Sequence, residues 1–77
     1  LSPLRAAVRD LETEIVQLES ERGANEAALA DPALYLPDRR DELMRQLARR
    51  AELAQSLAAA ETRWIAACEA LEEAERS

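Results

Sequence analysis

Seventy-seven residues with ten arginines, sixteen acids and a formal net charge of −6 at pH 7 make at most one small domain. Seventeen alanines and twelve leucines, against one glycine, two valines, two isoleucines and no phenylalanine, are the composition of long helices and exclude a sheet. The acidity also excludes wholesale, sequence-independent coating of nucleic acid.

Ser2-Pro3 opens a helix: Ser2 caps exposed N–H groups, and Pro3 suits the first helical position. Leu4, Val8, Leu11, Ile15, Leu18, Arg22, Asn25 and Leu29 then alternate spacings of four and three, a heptad seam with two polar intrusions near its end. Gly23 lies beside those intrusions, so the distal part of this helix is its weak part. Asp31-Pro32 ends it, because proline disfavours helical geometry at the residue before and removes a donor. Asp31 caps a short turn through Ala33 and Leu34, and Pro37 enforces a second break. Leu34, Tyr35 and Leu36 are too apolar for a solvated loop, so some of them plug the end of the seam. Asp38 is the expected N-cap of a second helix, with Asp41 placed to reach back and to pair with Arg45. That helix repeats at Leu43, Leu47, Arg50, Ala54, Leu57, Glu61, Trp64, Cys68 and Leu71, with Leu53 and Ala60 flanking a broad stripe.

The fold these elements predict is all-α: a two-helix antiparallel coiled-coil hairpin with a proline-containing turn. Helix one covers about 3–30, the turn 31–37 and helix two about 38–75. The core candidates are Leu4, Val8, Leu11, Ile15, Leu18, Leu29, Leu43, Leu47, Leu57, Trp64, Cys68 and Leu71. Folding the seams together brings Leu29 near Leu43, Asn25 near Leu47, Leu18 near Ala54 and Ile15 near Leu57. Val8 then faces Trp64 and Leu4 faces Cys68. Arg22 falls level with Arg50, and both turn outward toward acids such as Glu19 or Glu26. The hairpin is expected to be tightest where the termini meet and loosest toward the tip. Helices of roughly 40 and 55 Å make it an arm.

With no lysine, every cation is a guanidinium. Residues 31–50 alone carry a positive balance, five arginines against four acids. Arg39, Arg40, Arg45, Arg49 and Arg50 are therefore the candidate phosphate contacts, set against a solvated face on which they pair with Asp38, Asp41, Glu42 and Glu52. Tyr35 packs under the turn with its hydroxyl on a backbone partner in preference to stacking on a base. Trp64 and Cys68 belong to the apolar stripe. No catalytic or metal site is expected. Histidine is absent, and two helices form no pocket in which carboxylates could face a substrate. The single cysteine fits a reducing compartment. No apolar run approaches a bilayer's thickness, and no signal peptide opens the chain. The chain starts at Leu1 without methionine, so it reads as a cytoplasmic piece of a larger protein.

A leucine seam (Leu11, Ile15, Leu18), then Asp31, Pro32, Leu34 and Tyr35, then Arg63-Trp64 and Leu71 resembles the C-terminal coiled-coil domain of ABC-F ATPases, tandem-cassette proteins without a transmembrane domain. The resemblance implies a non-catalytic arm that contacts DNA or ribosomal RNA, with ATP and magnesium confined to the parent's cassettes. No G-x-x-x-x-G-K-[ST] occurs here, so this segment holds no cofactor. The reading from another class is a coiled coil for self-association or a protein partner. A third is the arm of another RNA-related protein, such as an aminoacyl-tRNA synthetase appendage.

Overall fold

A computed structural model describes residues 2–77, apart from the Ser2 side chain, so the expected Ser2 cap lies outside the described residues. Two helices, α1 (Ser2–Ala30) and α2 (Arg40–Arg76), run antiparallel, joined by two short 3-10 turns, Pro32–Tyr35 and Pro37–Arg39. Among the described residues there is no strand. The hairpin is a rod with principal extents of 61 × 15 × 14 Å.

The turn is built by its prolines and Asp31. Asp31 is extended (φ −76°, ψ 117°), and its Oδ1 accepts from the Ala33 N–H at 3.0 Å. The Asp31 N–H closes α1 on Ala28 O at 3.2 Å, and Arg39 N–H bonds Leu36 O at 2.9 Å. Of the three apolar turn residues, Leu34 is buried while Tyr35 and Leu36 stay exposed. The second helix starts later than expected. Asp38 lies inside the second 3-10 turn and does not cap α2, whose N-cap is Arg39 with no side-chain bond. Pro37 and the Leu36 carbonyl have already set the backbone there. Asp41 and Glu42, in the first turn of α2, supply the negative charge that its N-terminus favours.

Along α1 the inward residues follow the expected seam, with Leu4, Val8, Leu11, Ile15, Leu18 and Leu29 half-buried. Arg22 turns outward to Glu26, 3.7 Å away. Along α2 the phase differs. Leu43, Leu47, Trp64, Cys68 and Leu71 are half-buried and Leu57 is buried, but Ala54 and Glu61 face solvent, and Leu53 and Ala60 take the inner positions. Spacings of three and four from Leu53 (53, 57, 60, 64) bury two leucines, an alanine and a tryptophan. The alternative (54, 57, 61, 64) would bury a carboxylate, which costs several kcal/mol.

The gradient of packing is also reversed. The fully buried residues are Asn25, Leu34, Leu53, Leu57 and Ala60, which lie between mid-rod and tip. Toward the termini the inward side chains are only half-buried. Leu34 caps the seam at the tip, whereas the two-helix base has no third element over it. The bonds across the helices do not fall on the expected facing pairs. Asn25 bonds Gln46, one residue from the expected Leu47, and Trp64 reaches Glu12, four residues tip-ward of Val8.

Gly23 lies mid-α1 with negative φ, and a Cβ there would meet nothing within 4 Å. Gly23→Ala is expected to raise stability by about 0.5–1 kcal/mol, because alanine restricts the unfolded chain and suits the helix. A thermal melt followed by circular dichroism checks it; an unchanged or lower midpoint would contradict the open space around Gly23.

Candidate nucleic-acid interface

The turn chemistry decides what the tip presents. Tyr35 is 56% exposed, yet its hydroxyl donates to Leu29 O at 2.6 Å. That bond ties the turn to the last residues of α1. With Leu36 and Met44, both exposed, Tyr35 forms a shallow apolar patch beside Arg40. The hydroxyl bond fixes where the ring stands, and a lone aromatic is a weak stacking platform.

The five candidate arginines divide into two groups. Arg45 donates through Nε to Glu42 at 3.0 Å, and Arg49 bonds Glu21 of α1 at 3.0 Å. These two are occupied. Among the described residues, no carboxylate lies within ion-pair distance of Arg39, Arg40 or Arg50, and all three are exposed. Arg39 and Arg40 are adjacent at the start of α2. Arg50 stands about 15 Å further along the helix, near Arg22, on another side of the rod from the Arg49–Glu21 bridge. Arg39 and Arg40 stand near each other as chain neighbours, and the structure does not gather all five onto one surface.

Behind the tip, a polar chain runs from the seam to the surface. Asn25 is 4% exposed, and its Nδ2 donates both to the Gln46 carbonyl and to Gln46 Oε1, each at 2.9 Å. Gln46 Nε2 in turn donates to Glu42 Oε1 at 3.0 Å. Hydrogen bonds from Gln46, first, and from Arg45 hold the Glu42 carboxyl below its ordinary value. Glu42 therefore stays ionised and keeps Arg45 neutralised. Gln46 was not a candidate from the sequence. The signal that could have found it is its place on the three-and-four phase that continues through Arg50, Leu53 and Leu57.

At the other end, Trp64 Nε1 donates to Glu12 at 3.2 Å, and Arg63 bonds Glu14. Burial, followed by the charges of Glu12 and Glu72, pushes the Cys68 thiol up. The thiol is therefore protonated at neutral pH. Its alkylation at pH 8 is expected to run several-fold slower in the folded chain than in denaturant, as followed by mass spectrometry. Equal rates would show an accessible, unperturbed sulfur. Among the described residues, no cluster of His, Cys, Asp or Glu is placed to hold a metal, and no helix is long and apolar enough to cross a membrane.

Among curated proteins and solved structures nothing matches the chain. The model of one family, described as the ABC transporter C-terminal domain, matches residues 4–73. That match takes in both helices, the Asp31-Pro32 turn and Arg63-Trp64. The helical hairpin is therefore an accessory, non-catalytic region of an ABC protein, and the chain belongs to the ABC transporter C-terminal domain family.

Proposed function

We propose that this domain is the interaction arm of a cytoplasmic, ABC-F-type ATP-binding protein and touches nucleic acid, DNA or ribosomal RNA, with its tip. The parent's cassettes would bind ATP and magnesium. The arm's own part is reach and positive charge placed far from its base. The observation that carries this reading is the adjacent pair Arg39 and Arg40, exposed and free of ion pairs among the described residues at the far end of a 61 Å rod. Two guanidiniums there contact phosphate oxygens and position the arm without reading bases. Arg50 is a lesser contributor, and Arg45 and Arg49 are already bridged.

Fluorescence anisotropy with labelled duplex DNA and structured RNA over a salt series tests it. Binding is expected to be weak and salt-sensitive, and Arg39→Ala with Arg40→Ala should lower the salt slope by about 1.5–2, one phosphate contact per arginine. Binding indifferent to both substitutions would move the contact away from the tip. A second reading, a self-associating or partner-binding coiled coil, is favoured by one specific observation: Val16 and Ile65 stand exposed along one flank of the rod.

A further inference from the structure

The two flanks of the hairpin are built differently. On one, Arg49–Glu21 and Arg63–Glu14 bridge the helices. The partners on each helix are separated by multiples of seven, so both bridges lie along one line. On the opposite flank Arg5–Glu75 joins the helices at the base and Trp64 Nε1 reaches Glu12, but between Glu12 and Glu26 no ion pair crosses the helices among the described residues. Apolar groups line that gap instead: Ile15 and Val16 from α1, and Ala54, Ala58 and Ile65 from α2. Leu57 forms part of its floor and Trp64 one wall. Val16 is 65% and Ile65 52% exposed, so the groove leaves β-branched side chains in water that a covering helix would dry.

The charges around this groove are polarised along its length. Arg50 and Arg22 stand at the tip-ward end, where Glu26 partly neutralises Arg22 and leaves Arg50 free. Glu61 and Glu19 stand toward the base. A groove with a cationic end and an anionic end is complementary to itself when turned end over end. We infer that this flank is the docking surface for a second copy of the chain, related by a twofold axis. This deepens the second reading above and leaves the tip untouched.

An axis between Ala54 and Ala58 sets Ala54 of each chain against Ala58 of the other, where small side chains let two α2 helices approach. The same operation brings Arg50 level with Glu61 of the second copy. Within one chain those residues are eleven positions apart, roughly 16 Å along the helix, too far to pair with each other. Ile65 then covers the aliphatic stem of the second copy's Arg50 one turn away. Both contacts occur twice, as a twofold interface requires. The face is only about 20 Å long from Glu12 to Glu26. It is smaller than the roughly 800 Å² per partner of a standard interface, so the association is expected to be weak and to show only at high concentration.

Sedimentation equilibrium and Trp64 emission, measured together from about 10 μM to 1 mM, test the inference on the full chain. The mass should climb from 8.6 kDa toward twice that value. The emission of the sole tryptophan, at the wall of the groove, should shift over the same concentrations. Ala58→Arg should hold the chain monomeric while leaving its helical circular dichroism intact. Arg50→Glu and Glu61→Arg should each weaken association about tenfold, and the two combined should restore it. A single-chain mass at 1 mM would overturn both the interface and the oligomerisation reading. A dimer indifferent to Ala58→Arg and to the charge exchange would overturn this interface and leave the broader reading standing.

Discussion

Leu53→Ala is expected to lower the hairpin's stability by about 2–4 kcal/mol, the largest effect of any single truncation here. Leu53 is 1% exposed, the most enclosed large side chain in the chain. Its removal forfeits the transfer energy of the leucine and leaves a void that two rigid helices cannot close. A domain under 80 residues commonly has only about 3–5 kcal/mol in total, so the variant should be partly unfolded at room temperature. Urea titration followed by far-UV circular dichroism measures it. Ala54→Ser, one residue along, is the control and should change stability by less than about 0.5 kcal/mol. Similar losses at both positions would mean that α2 packs on the other phase of its stripe.

Asn25 gives the second large effect, and its sign depends on the replacement. Its Nδ2 is doubly used on Gln46, while its Oδ1 is buried without a partner among the described residues. Asn25→Ala removes both bonds and opens a gap next to the Gln46 amide, at an expected cost of about 1–3 kcal/mol. Asn25→Leu should instead be neutral or stabilising, because it removes an unsatisfied oxygen and fills the seam with an apolar group. Paired denaturation curves decide it. If both variants lose equally, the hydrogen bonds to Gln46 matter more than the filled volume. The leucine variant should also loosen the register, since a buried amide that bonds one particular partner specifies alignment where leucines do not.

The hairpin, its proline turn and the seam of α1 were legible because each rests on strong local contrast. Asp31-Pro32 leaves the backbone little choice, and Leu4 to Leu18 alternate with charged residues. On α2 the contrast is poor. Both heptad phases share Leu43, Arg50, Leu57, Trp64 and Leu71, so only the residues between them choose, and several of those are alanines that suit either place. Leu53 against Ala54, and Ala60 against Glu61, were the deciding comparisons, and regular counting from Leu43 passed over both. The tip was legible as a patch of positive charge but not in its pairing. Which arginine finds a carboxylate depends on cross-helix alignment, as Arg49 with Glu21 shows, and Gln46 mattered only once Asn25 was seen to be buried. Asp38 failed as a cap because capping competes with turn geometry, and Pro37 had already fixed the turn.

The slenderness of the rod has a mechanical consequence. A body 61 Å long and about 15 Å thick, held at one end, is a lever whose tip multiplies any rotation at its root. A turn of about 15°, the size of known rigid-body rotations between subunits, would swing the far end through roughly 16 Å along an arc. The interhelical bridges and the Leu53–Leu57–Ala60 core stiffen the middle of the shaft, where a lever under load experiences shear between its two strands. Small angular changes in whatever carries this domain thus become displacements as large as the rod is wide.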